Sequence, residues 1–101
     1  MGEFVRVAAV SDLPPGECTV VAANGKEIAL FNVGGAFYAI ENTCPHRGGP
    51  LGMGFVQDCL VACPWHAWTF DVRTGASTVS ASFNLEKYEV RVQGDEVLVR
   101  A

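Results

Sequence analysis

Three dipeptides constrain this chain more than any other feature: Asn24-Gly25, Gly34-Gly35 and Gly94-Asp95, each set between two runs of alternating apolar and polar residues. A two-residue hairpin turn needs positive φ at one or both central residues, and Asn and Gly reach that region at the least cost, so each dipeptide marks an antiparallel hairpin. Pro14-Pro15-Gly16 and Arg73-Thr74-Gly75 add turns at the spacing of a β-sandwich or barrel. No window sustains an apolar i, i+3, i+4, i+7 stripe over helical length. The expected strands are Phe4 to Ala8, Cys18 to Ala23, Glu27 to Val33, Ala36 to Glu41, Asp58 to Ala62, Thr69 to Val72, Lys87 to Gln93 and Glu96 to Arg100. The class is all-β, with an antiparallel sandwich or barrel as its base.

At 101 residues, half of them hydrophobic, the chain is expected to form one domain, residues 1–101, with a single core that needs no disulfide. The formal net charge is −4 and no Lys/Arg cluster is present, which removes nucleic acid as a partner class and favours a basic protein surface. No stretch approaches the eighteen or so apolar residues of a membrane span. The segment M-G-E-F-V-R-V has no apolar run followed by a cleavage site, so the expected address is the cytoplasm. Under that expectation, four cysteines point to metal binding or reactive thiols before disulfides.

One segment interrupts the strand pattern: the Gly- and Pro-rich stretch from Thr43 to Gly54, followed by a short strand and a second Cys-Pro loop. Both histidines of the chain fall here, each within three residues of a cysteine. Cys44, His46, Cys63 and His66 form the pattern C-x-H, sixteen residues, C-x-x-H. Two loops that each offer one sulfur and one nitrogen can grip a metal centre from opposite sides, and sixteen residues are enough to leave, turn and return. Pro and Gly in such loops let the backbone curl and aim N–H groups inward. Two Cys and two His also satisfy a tetrahedral structural zinc site. Zinc fingers usually present their cysteines as one pair and their histidines as another, whereas here each loop carries a mixed pair. If the cysteines hold one metal and the histidines a second, the centre is a two-iron, two-sulfide cluster with unlike irons.

The stretches C-P-H-R-G-G-P-L and C-P-W-H-A-W-T-F-D-V-R-T-G resemble the two cluster-binding boxes of Rieske-type [2Fe-2S] ferredoxins, and the likeness extends over essentially the whole chain. It implies one [2Fe-2S] cluster with Cys44 and Cys63 on one iron and His46 and His66 on the other. It also implies a Rieske-like base with a small cluster-binding subdomain inserted at about residues 42–72, its two loops at one tip. Both histidines are then used by the cluster, so a separate two-histidine, one-carboxylate iron site cannot be built from this chain, and it is not an enzyme by itself. The implied role is a monomeric one-electron carrier that docks transiently with a flavin-dependent reductase and a terminal oxygenase. The same boxes also resemble the small subunit of assimilatory nitrite reductases, which leaves a fixed enzyme subunit as the alternative.

High-potential members of the family look like C-T-H-L-G-C and C-P-C-H-G-S-x-Y in their boxes. Here the two stapling cysteines are replaced by Gly49 and Trp65, so no inter-loop disulfide forms, and the hydroxyl-bearing Ser and Tyr are replaced by Trp68 and Phe70. Trp65 suits shielding or docking, and Trp68 suits the core. Arg47 is either a donor near the site or a solvated loop charge. Asp71 is expected to stabilise a turn, and Cys18 and Cys59, both in strand patterns, to be buried inert thiols. With two hydroxyl donors missing, the potential is expected at the low end of the family range, about −150 mV, and nearly independent of pH around neutrality. Protein-film voltammetry from about pH 6 to 10 tests this; a midpoint above about +100 mV overturns it.

Overall fold

The computed structural model describes residues 3–43, 50–64, 68–78 and 85–100. Within them the chain forms nine strands: β1 (Phe4–Ala9), β2 (Cys18–Ala23), β3 (Lys26–Val33), β4 (Ala36–Glu41), β5 (Phe55–Gln57), β6 (Leu60–Ala62), β7 (Thr69–Asp71), β8 (Lys87–Gln93) and β9 (Glu96–Arg100). Two short 3-10 turns, Val10–Asp12 and Leu51–Met53, are the only helical elements among the described residues. Six strands form one antiparallel sheet in the order β1-β9-β8-β4-β3-β2, and its outer strands β1 and β2 come together, so that it nearly closes into a barrel. The other three form a small antiparallel sheet in the order β5-β6-β7.

The expected turns are where the dipeptides put them. Asn24 and Gly25 have φ of 52° and 77°, the two positive values a type I′ turn requires, and the β2–β3 register closes on Ala23↔Lys26. Gly34-Gly35 joins β3 to β4 in the same way, and Gly94 opens the turn from β8 to β9. At Pro14-Pro15-Gly16 the Glu17 N–H donates to the Pro14 carbonyl at 3.2 Å with Gly16 at φ 87°, a Pro-Gly type II turn.

One expectation needs correction. The run Asp58 to Ala62 is not a continuous strand: Asp58 and Cys59 form a turn, β6 begins at Leu60, and the unforeseen β5 lies before the turn. Asp58 has φ of 55°, a left-handed conformation that Asp tolerates without announcing it as Gly does. Cys59 is therefore a turn residue.

Strand β3 explains how the two sheets form one body. From Ile28 to Asn32 every residue is buried. Ile28 and Leu30 face the barrel interior with Leu13, Ala23, Ala39, Tyr88, Val97 and Val99. Ala29 and Phe31 face the opposite way, into a second cluster with Ile40 of β4 and Leu51, Val61, Cys63, Phe70, Val72 and Leu85. The small sheet thus packs onto the outer face of the β3–β4 hairpin. The intervening chain leaves the large sheet after Glu41 and returns at Glu86, where Glu41 N–H donates to the Glu86 carbonyl at 3.0 Å and Glu86 N–H to Glu41 Oε1 at 2.7 Å.

Phe31 is fully buried in the layer between the sheets. Phe31→Ala should lower the free energy of unfolding by about 3–5 kcal/mol, read from denaturant midpoints at constant m-value. A loss below about 1 kcal/mol would mean that this layer does not couple the sheets.

Candidate metal centre

The first box is closed at its root by hydrogen bonds. Thr43 and Pro50 form an isolated antiparallel bridge, the Leu51 N–H donates to the Asn42 carbonyl at 2.7 Å, and the Gly52 N–H donates to Asn42 Oδ1 at 2.8 Å. Thr43 and Pro50 therefore stand at adjacent points. The 3-10 turn Leu51–Met53 then carries the chain to β5, with the Met53 N–H on the Pro50 carbonyl and the Gly54 N–H on the Leu51 carbonyl, both at 3.0 Å.

Two glycines in this stretch sit where a side chain would not fit. A Cβ at Gly52 would lie 2.6 Å from Val20 Cγ2 and 2.8 Å from the Thr19 carbonyl oxygen, and one at Gly54 would collide with the Ala62 carbonyl oxygen. The first contact presses the segment onto β2; the second presses it onto β6 immediately before Cys63. Pairing of Phe55 with Ala62 continues that contact into the small sheet.

The second box lies in the β6–β7 connection. Ala62 pairs with Thr69, and the Cys63 N–H donates to the Trp68 carbonyl at 2.8 Å, so Cys63 and Trp68 also form a closed root. Cys63 is 1% exposed and shares its apolar cluster with Leu51, which follows the first box, and with Phe70. The roots of both boxes thus converge on one buried layer. Cys63 is the described member of the expected ligand set; Cys44, His46 and His66 lie outside the described residues, as do Arg47, Gly49 and Trp65. Among the described residues no group of three or more His, Cys, Asp or Glu side chains gathers. A thiol sealed in an apolar layer beside a loop root, with one further Cys and two His supplied by the adjoining loops, fits the mixed sulfur and nitrogen donor set of an asymmetric cluster.

The remaining residues sort by their contacts. The Cys18 thiol is half-buried and not buried as expected; it donates to the Gly54 carbonyl, Sγ···O 3.6 Å, and burial, then the Glu17 carboxylate, push its pKa up. Cys59 is likewise half-buried and not buried as expected; its carbonyl accepts the Val72 N–H at 2.8 Å, and the thiols of Cys18, Cys59 and Cys63 are all free of disulfides. Trp68 packs against the buried layer and Phe70 lies within it. The outer face of the small sheet is mixed: Phe55 is 72% exposed and shares a depression of about 350 Å³ with Leu60 and Ala62 and with the polar Gln57, Asp58 and Thr69.

Residues 3–97 match the family model described as Rieske [2Fe-2S] domain. The chain belongs to this family. Its cofactor is a Rieske-type [2Fe-2S] cluster, which sets aside the zinc alternative. The ferredoxin component of biphenyl 2,3-dioxygenase from Rhodococcus jostii (strain RHA1) is 37% identical over 97 residues, covering 95% of this chain and 91% of that one. Among solved structures, the ferredoxin of carbazole 1,9a-dioxygenase from Nocardioides aromaticivorans IC177 superposes with a TM-score of 0.90 at 38% identity, covering 96% of each chain. A complex of reduced oxygenase and oxidized ferredoxin in carbazole 1,9a-dioxygenase matches at TM-score 0.86 and 35% identity, covering 96% of this chain and 92% of that one. A putative nitrite reductase small subunit from Mycobacterium tuberculosis, at TM-score 0.93 and 23% identity over 100% of this chain and 96% of that one, shares the fold.

Asp71 acts as the expected turn-stabilising residue. Its Oδ1 accepts the Arg73 N–H at 2.8 Å and Nε–H at 3.1 Å, and its Oδ2 accepts Nη2–H at 2.8 Å. The Arg73 guanidinium holds the carboxyl below its usual range. The folded state therefore binds fewer protons here than the unfolded state, so the contribution is complete above the ordinary Asp value of about 3.9 and fades as pH falls through the lower folded value. Asp71→Asn should lower the denaturant midpoint at pH 7, and the gap from the parent should close as pH drops below about 4. A gap that persists undiminished in acid would assign the effect to something other than this ion pair.

Proposed function

We propose that this protein is the ferredoxin of a multicomponent oxygenase system, a monomeric electron carrier that takes electrons from a flavin-dependent reductase and delivers them to a terminal oxygenase. Its whole length, residues 1–101, forms one domain, with residues about 42–72 as the cluster-binding part and the cytoplasm as its place of work. Among the described residues no helix is long and apolar enough to cross a membrane. In this reading Cys44 and Cys63 hold one iron and His46 and His66 the other. The bound cluster supplies one-electron storage between two oxidation states.

The chain's own residues account for the rest. The closed roots at Thr43–Pro50 and Cys63–Trp68 hold the two boxes against a common layer, which limits reorganisation around the centre. Phe70 and Trp68 place apolar groups around Cys63 and keep water from that side. The observation that carries the reading is the joint one: ferredoxin components of dioxygenase systems match this chain over nearly its full length, with sequence and backbone in agreement.

The isolated protein should contain two irons and two acid-labile sulfides per chain. His46→Ala and His66→Ala should each lose or remodel the cluster in absorption and EPR spectra, while Cys18→Ser and Cys59→Ser keep it; cluster loss in Cys59→Ser would reopen the ligand assignment. A related aromatic dioxygenase system lacking only its ferredoxin should regain turnover when this protein is added, at a rate that falls as salt rises. Product formation by this protein without an oxygenase would defeat the carrier role.

A further inference from the structure

The buried polar side chains among the described residues are Asn32 and Asn42, 3% and 5% exposed. A buried carboxamide is costly unless hydrogen-bonded, so each marks a place where a specific bond is required. Asn32 serves the base: its Nδ2–H donates to the Leu13 carbonyl at 2.7 Å and its Oδ1 accepts the Gly35 N–H at 2.8 Å. Asn42 is different in position. It stands two residues before Cys44, and with its carbonyl and Oδ1 it captures two consecutive N–H groups, Leu51 and Gly52, from the far side of the first box.

Gly52 is in turn held against Thr19 and Val20 of β2, with no room for a Cβ, and Leu51 is sealed in the same cluster as Cys63. Asn42 therefore joins the start of the first box to points fixed by the base and by the second box. A side chain without an acceptor at this position would leave the Gly52 N–H buried and unpaired and would release one side of the loop root.

We propose that Asn42 is a positioning residue for the cluster: its carboxamide closes the first box and sets where Cys44 and His46 stand relative to Cys63. This rests on the ligand reading given above. It is a role toward the centre and not only toward stability, and Asn32, equally buried and bonded but in the base, is its natural control.

The test compares Asn42→Leu, Asn42→Asp and Asn32→Leu in the cluster-loaded protein, with His46→Ala alongside. Asn42→Leu removes the acceptor at similar volume and should accelerate cluster loss to an iron chelator about tenfold, the lower end of what supporting partners of metal ligands contribute, with a changed EPR line shape. Asn42→Asp keeps an acceptor oxygen and should restore the parental line shape. Asn32→Leu should lower the unfolding midpoint while leaving chelation rate and line shape unchanged. Parental chelation kinetics and line shape in Asn42→Leu, with His46→Ala still losing the cluster, would overturn the positioning role and spare the ligand assignment. Equal acceleration in Asn32→Leu would also overturn it, by making the effect general destabilisation. A cluster that survives His46→Ala unaltered would remove the ligand assignment and this inference together. Should Asn42→Leu fail to fold, hydrogen exchange in the parent decides: the inference requires a protected Gly52 amide, and free exchange there contradicts it.

Discussion

Burial of β3 on both faces is the constraint on which the rest of this structure depends. A sheet with one wet face would leave Ala29 and Phe31 in water; here they are covered by Leu51, Val61, Cys63 and Phe70 from outside the barrel. The small sheet has only three strands of three residues each, too little to hold together alone, so it borrows a core from the hairpin beneath it. Two layers of apolar contact, one inside the barrel and one on its flank, meet at a single strand.

The consequence for the centre is rigidity at the loop roots without bulk. Gly52 and Gly54 let the segment between the boxes pass close to Thr19 on one side and Ala62 on the other, where any side chain would push the layers apart. Hydrogen bonds then fix what close approach allows: Asn42 to Leu51 and Gly52, Cys63 to Trp68, and Val72 to Cys59. An electron carrier benefits from such a frame, because a centre whose ligands are held in one arrangement has little to rearrange when its charge changes by one.

The same packing bears on redox poise. Phe70 is fully buried beside Cys63, and Trp68 closes over that layer. Neither Phe70 nor Trp68 carries a hydroxyl group, which is the reason for expecting a potential at the low end of the family range.

Local chemistry was legible wherever a residue's own backbone preference determined the outcome. Asn24-Gly25, Gly34-Gly35 and Gly94 set their turns because positive φ is a property of those residues, and the all-β class followed from period two alone. The two Cys/His boxes stood out because their ligand types and spacing are covalent facts of the chain. Only the tertiary structure could decide the rest. The Asp58-Cys59 turn was hidden because Asp reaches φ of 55° without advertising it, so β5 merged with the loop and Cys59 with a strand. The double burial of β3, the tight passage of Gly52 and Gly54 and the grip of Asn42 on the far side of its loop depend on residues eight or more positions away. A sequence states what each residue prefers; which distant surface will cover it is settled only when the chain has folded onto itself.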